Sequence, residues 1–300
     1  MMESLVSKIK EGISSLSSPS SPSLVSSSAY DTAWVAMVPD SDHPGRPMFP
    51  RCLHWICRNQ RPGGYWGQTN HRGLPTLDSL TATVACLAAL KTWDAAYPQS
   101  IEQGLDFLHS STAELLATHC NNGTGVPRWF AIVFPGMLEV AESLGLDVFR
   151  GDFFQEVEGV FEQRRQILVE KGQLGGDPSH GEHCYFPLAS YLEVLPAEFV
   201  GFDCGGIVAS NQADDGSLFQ SPSATAFAFM ATGDERCRAY LDALVAESSL
   251  GVASRGVGVP AAYPVDEQLP KLIMVDTLER LGITEHFVEE VADMMRCIHR

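Results

Sequence analysis

Positive charge is scarce. Across 300 residues, 20 Lys and Arg face 37 Asp and Glu, a formal net charge of -17 with a pI near 4.8. Such a surface repels a phosphate backbone rather than gripping it, so nucleic acid and anionic membranes are excluded as partners. No apolar run approaches the roughly 20 residues a bilayer span needs, and no membrane span is expected. The cysteines at positions 52, 57, 86, 120, 184, 204, 237 and 297 form no CxxC pair, and no cleavable apolar leader precedes them. Reduced thiols in a cytoplasmic protein are the expectation. Dense alternation of β-branched residues is also missing, which removes the usual mark of strands. What remains is 45% hydrophobic, enough for a substantial core.

That apolar content falls at helical spacing. Leu5, Ile9 and Ile13 lie four apart and predict an amphipathic helix over residues 1–13. Residues 14–28 hold ten Ser and two Pro, a composition that reads as a linker to a body spanning 29–300. Ser100 and Gln103 form a capping-box pattern ahead of Leu105 and Leu108, and a stripe from Phe153 to Leu168 stops at Gly172. Ser221 followed by Pro222 predicts an N-cap with Pro at the first helical position. Thr284 is expected to cap a last helix, with Ile283 stapled onto Val288 and a stripe of Phe287, Val291, Met294 and Ile298. The stripes of the first and last helices need cover: each other, a second copy, or another protein.

Two segments repeat weakly. Residues 60–67 and 212–219 both run Gln, a polar or Gly turn, a small residue and a large apolar one, each before an Ala, Leu and Thr-rich helix. Many short helices with Gly-rich corners predict an all-α protein, an α/α barrel with helices packed in two layers.

Ser28-Ala-Tyr-Asp-Thr-Ala-Trp-Val-Ala36 resembles the opening signature of class II diterpene cyclases, the copalyl diphosphate synthases and fungal copalyl diphosphate/ent-kaurene synthases. The resemblance continues through residues 60–67, 76–80, 88–93 and 132–135, then 215–226, Gly258-Val-Pro260 and Tyr263-Pro-Val-Asp266, in the family's order. It implies a leading β-domain helix followed by a γ domain of α/α-barrel type, with the β domain, which bears the acid motif, beyond. Tyr30, Asp31 and Trp34 are then the structural signature. Trp129, Phe130, Phe186, Ser190, Tyr191, Phe219, Ala261 and Tyr263 fall in segments that border the family's cavity, where ring faces stabilise carbocations.

The chain departs from the family at the chemistry. No Asp-x-Asp-Asp occurs in it, and residues 111–126 hold one acid, Glu114, where family members carry an acidic run serving the magnesium-diphosphate end. No cofactor is evident, and magnesium enters only through the resemblance. The family's water-holding His and Asn are replaced by Ser190 and Ala261. His180, Glu182, His183 and Cys184 offer ligand types without a standard zinc spacing and read as a solvated loop. Asp214 and Asp215 read as a turn.

The expectation is a terpene-cyclase-family protein of diterpenoid biosynthesis, resembling a truncated γ portion, acting on geranylgeranyl diphosphate or a derived polyene. Alone it lacks the usual protonating acid. The alternatives are a non-catalytic isoprenoid-binding or partner subunit, or a repurposed cyclase that works by folding its substrate. Partners are a hydrophobic small molecule and a β-domain-containing chain or a second copy.

Overall fold

A computed structural model describes residues 2–17, 26–43, 45–94, 97–120, 125–172, 188–196, 204–249 and 256–298. The described residues form helices and contain no β-strand, only three isolated bridges. In chain order they are α1 (Met2–Ser17), α2 (Ala29–Met37), α3 (Pro50–Arg58), α4 (Leu77–Thr92), α5 (Pro98–Cys120), α6 (Arg128–Ser143) and α7 (Phe153–Gly172). A 3-10 segment, Leu188–Val194, precedes α8 (Cys204–Asn211), α9 (Pro222–Thr232), α10 (Glu235–Ser248) and α11 (Val265–Arg280). A 3-10 turn, Thr284–His286, leads to α12 (Val288–Ile298).

Helix composition sorts the layers. In α4 every residue from Leu77 to Leu90 except Asp78 is buried, and α2, α6 and α9 are nearly as enclosed. A helix that is apolar on all sides belongs inside. These four pack as α2 on α4, α4 on α6 and α9 on α2, and the 3-10 segment fills the gap between α6 and α9 to close the ring. Outside them, α3 backs onto α2, α5 onto α4, α7 onto α6, and α8 and α10 onto α9. This is the two-layered α/α barrel that the sequence predicts.

The two repeat segments are one corner built twice. Gln60 donates to the carbonyls of Gly64 and Ser100, while Gln212 donates to Gly216 O and Asp234 Oδ1. Trp66 N–H reaches Thr83 Oγ1 and Leu218 N–H reaches Thr225 Oγ1, so each corner is tied to the helix after it. Gly64 and Gly216 share a positive φ, +87 and +89. An added Cβ would sit 2.3 Å from Gln103 O at the first and 2.2 Å from Arg236 O at the second. Glycine is required there by both conformation and contact.

A smaller core gathers Ile13, Leu278, Phe287 and Met294, with Val6, Ile9, Val275 and Val291 against it. The stripes of α1 and α12 therefore cover each other in part, with Ile9 and Ile13 in or against this core and Leu5 60% exposed, aided by a Lys10–Glu290 ion pair at 3.2 Å. Four local expectations shift. α1 runs on to Ser17, because extending a nucleated helix costs little. α5 starts at Pro98, the favoured first position for proline, so Ser100 is inside the helix rather than its cap. Thr284 opens a 3-10 turn that carries Phe287 into the small core, and α12 begins at Val288. Val288 is 63% exposed while Ile283 packs inward, so the staple does not form. α12 is described to Ile298.

Candidate functional site

The signature segment stands at the centre of a buried polar junction. Ser28 is the N-cap of α2: its Oγ accepts from Asp31 N–H and donates to Asp31 Oδ2 at 2.6 Å. Asp31 Oδ1 accepts from the backbone N–H of Ser223, 192 residues away, in the first turn of α9. A carboxylate at a helix N-terminus satisfies an orphan donor and meets the positive end of the helix dipole. Burial lifts the Asp31 carboxyl to about 6 against the hydrogen bonds from Ser28 and Ser223. Thr32 Oγ1 donates to Ser28 O and accepts from Val259 N–H, and Ser28 N–H donates to Val259 O. These bonds fasten the Gly258-Val-Pro260 strip to the start of α2.

A second carboxyl joins from the 3-10 segment. Tyr30 Oη donates to Glu193 Oε1 at 2.9 Å, a bond between ring members, α2 and the 3-10 segment, that are not neighbours in the ring. Burial pushes Glu193 up to about 7, with the charge of Asp31 adding to the rise. The same burial, then Glu193, raises the Tyr30 hydroxyl well above its ordinary value. Trp34, one turn after Tyr30, stands edge-on to Phe227 of α9, 6.1 Å between centroids. From outside the ring, Arg164 of α7 donates to Val194 O at 2.5 Å and pairs with Glu139 at 2.7 Å. Arg164 is itself buried, so it clamps the end of the 3-10 segment from within the packing.

The described residues that the resemblance predicts to line a cavity fall on several separate elements. Phe130 is fully buried, stacked on Phe134 and edge-on to Trp129, which reaches the surface. Ser190 and Tyr191 are half-buried on the 3-10 segment. Phe219 and Gln220 both adopt positive φ, +54 and +57, an unfavourable conformation for residues with side chains. The turn is held by Tyr263 N–H on Gln220 O and by Tyr240 Oη on Tyr263 O. Ala261 is exposed beside Tyr263. Phe186 and the cluster His180, Glu182, His183 and Cys184 lie outside the described residues. An open groove of about 840 Å³ runs between α6 and α7, lined by Glu139, Phe161, Glu162, Arg164 and Leu168 among others, and none of the predicted aromatics among the described residues borders it.

Asp215 Oδ1 accepts from Ser217 N–H, an Asx turn as read from the sequence, and Arg236 holds the carbonyls of Ala213 and Asp214. Among the described residues no three His, Cys, Asp and Glu side chains converge. Glu193, Ser223 and Arg164 escaped the sequence reading. Two had a signal: Glu193 sits between Leu192 and Val194, and Arg164 occupies the apolar stripe four residues after Val160.

The helical-barrel architecture is shared with solved terpene cyclases. The homologues of this chain are plant terpene synthases. It is 41% identical to S-linalool synthase of Clarkia breweri, over 98% of this chain and 33% of that protein. It is 37% identical to (E,E)-geranyllinalool synthase of Arabidopsis thaliana, over 92% of this chain and 32% of that one. The chain thus spans about a third of the length of these relatives. The crystal structure of ent-copalyl diphosphate synthase from Arabidopsis thaliana, in complex with (S)-15-aza-14,15-dihydrogeranylgeranyl thiolodiphosphate, matches at a TM-score of 0.75 and 30% identity, covering 99% of this chain and 39% of that one. Abietadiene synthase from Abies grandis matches at 0.75 and 31%, covering 99% and 35%. No family model matches the sequence. The fungal part of the resemblance has no counterpart among these relatives, which are plant proteins.

Proposed function

We propose that this chain is the helical-barrel region of a terpene synthase of diterpenoid metabolism, serving the conversion of geranylgeranyl diphosphate or a polyene derived from it. In this reading its most specific motif builds the barrel rather than protonating an alkene. The observation that carries it is the commitment of Asp31: both oxygens are engaged, by Ser28 and by the first turn of α9. A proton donor to an alkene needs a carboxylic acid held neutral and facing substrate. Asp31 faces a helix terminus instead.

A second reading, a partner or isoprenoid-binding subunit, is favoured by one surface. Val265, Leu269, Leu272 and Ile273 of α11 are exposed on the side away from the small core. Leaving such side chains in water forgoes about 1.5–3 kcal/mol each. A further helical domain, in a longer chain, in another chain or in a second copy, would recover it. The free thiols of Cys52, Cys57, Cys86 and Cys237 support a cytoplasmic location, which cell fractionation tests.

The deciding experiment incubates the pure protein with geranylgeranyl diphosphate and magnesium, alone and with a second chain that carries an Asp-x-Asp-Asp segment, and extracts the products. No product from the protein alone is expected. Turnover by the isolated chain that disappears on replacing one internal carboxylate would overturn the structural assignment and identify an acid.

A further inference from the structure

Two stripes run along α7. Phe153, Val157, Val160 and Arg164 are buried against the barrel. Beside them, Phe154, Glu158, Phe161, Arg165, Leu168 and Val169 share a second stripe, about 100° wide at helical spacing. This one meets solvent: Phe154 is 48% exposed and Val169 53%. From Phe154 to Val169 it extends about 22 Å, roughly four turns. Its two ends have opposite shapes. At the N-terminal end Phe154 stands 5.8 Å from Phe149 and 5.7 Å from Phe161 between centroids, a ridge of rings. At the C-terminal end Leu168 and Val169 line the open groove between α6 and α7.

Charge decides what this face can receive. Arg164 is committed to Glu139, and Arg165 pairs with Glu162 at 2.7 Å. Glu158 makes no ion pair among the described residues. A diphosphate or other anion therefore finds no unpaired guanidinium in the groove. The stripe is instead complementary to its own reverse. About a midpoint between Phe161 and Glu162, Phe154 is symmetric with Val169 and Glu158 with Arg165. A twofold axis through that midpoint lays two α7 helices antiparallel, and such an interface is built from one patch used twice. It sets the Glu158 of each copy opposite the Arg165 of the other, and the ring ridge of each at the groove of the other. The Arg165–Glu162 pair does not compete strongly, because Arg165 is 73% exposed there and a solvated pair contributes little.

We infer that the outer stripe of α7 is a self-association surface: two copies of this chain pair through antiparallel α7 helices, with Phe154 of each entering the groove beside Val169 of the other and two Glu158–Arg165 ion pairs flanking Phe161. The net charge of -17 on each copy opposes their approach at long range. Salt of about 0.15 M confines that repulsion to about 8 Å and leaves the close pairs in place. This face is separate from the exposed side of α11, so the two can be tested independently.

Sedimentation equilibrium of the full chain at about 0.15 M salt should show a concentration-dependent dimer. Glu158→Arg alone, and Arg165→Glu alone, each put like charges across the axis twice and should weaken the dimer at least about tenfold. The double variant Glu158→Arg, Arg165→Glu restores opposite signs and should recover it. An equimolar mixture of the two single variants should also dimerise, since one then carries only positive and the other only negative charge at the two positions. Both side chains meet solvent, so each variant should keep the wild-type Tm, which confirms that folding is intact. Leu269→Lys on α11 should leave the dimer unchanged. A wild type that stays monomeric overturns the inference, as does a dimer indifferent to the single reversals. A mixture that fails to associate, or a dimer lost only on Leu269→Lys, overturns it as well.

Discussion

Replacing Gly64 by Ala tests whether the repeated corner is set by close approach rather than by turn preference alone. The new methyl would stand 2.3 Å from Gln103 O, where real contacts begin near 3.0 Å, so the corner must withdraw by about 0.7 Å. Two penalties add. A side chain at this positive φ costs about 1–2 kcal/mol, and forcing a methyl into a packed contact costs about 1–3 kcal/mol. Withdrawal also stretches the Gln60 bonds to Gly64 O and Ser100 O, 2.8 and 2.9 Å in the native corner, each contributing about 1 kcal/mol. The expected loss is about 3–5 kcal/mol, a fall in Tm of about 10 °C. Gly216→Ala should match it, because its Cβ would lie 2.2 Å from Arg236 O. Gly73 supplies the control: its φ is +76 but nothing lies within 4 Å of an added Cβ. Gly73→Ala carries the backbone penalty without the contact, about 1–2 kcal/mol. Urea denaturation of the three variants reads the difference. Equal losses at Gly64 and Gly73 would refute the close-approach argument.

What could be read in advance was local. The Ser221-Pro222 cap appears as expected, with Ser221 Oγ accepting from Ala224 N–H; the expected stop after Gly172 falls at the edge of the described residues. Such features depend on a few adjacent residues. The junction does not: Asp31 meets Ser223 across 192 residues and Tyr30 meets Glu193 across 163. No spacing rule links such partners, and the signature around Asp31 reads equally well as a cap for its own helix. The closure of the ring was invisible for a different reason. A seven-residue 3-10 segment shows neither helical periodicity nor alternation, so the element that completes the barrel is the one with the least pattern. Arg164 shows how one charged residue on an apolar stripe marks such a place. It lies between Val160 and Leu168 because it serves Val194 O, not because the stripe fails there.

Asp31→Ala should destabilise by about 2–3 kcal/mol in thermal denaturation, because it orphans the buried Ser223 N–H, while Asp31→Asn, which keeps an acceptor, should cost about 1 kcal/mol; equal losses would show that the α9 contact contributes nothing. Arg164→Met should cost about 3 kcal/mol through the unsatisfied Val194 carbonyl and the unpaired Glu139. Arg164→Lys should recover less than half of this, since one ammonium cannot reproduce the planar fork; full recovery by Lys would remove the clamp. The last prediction is the pH dependence of stability. Folding raises Asp31 from 3.8 to about 6 and Glu193 from 4.5 to about 7. With folded values above unfolded ones, the native state holds more protons across this window, so stability falls as pH rises from about 4 to about 7. A shift of about two units corresponds to about 3 kcal/mol, and the coupled pair should lose at least that across the window. Asp234, held low by the Cys237 and Arg236 N–H groups and by Gln212, acts with the opposite sign: its contribution is present above the ordinary carboxylate range and lost as pH drops through it. Stability should therefore peak on the acid side of neutrality, between these two regimes. The acidic surface also repels itself more as pH rises, so the reference is the Asp31→Asn, Glu193→Gln double variant, which keeps that repulsion and lacks both buried protons. Its Tm should change less between about pH 5 and about pH 7.5 than that of the wild type. A wild-type Tm that rises through that interval, or a double variant with the same slope, would refute the assignment of buried, protonated carboxyls to the junction.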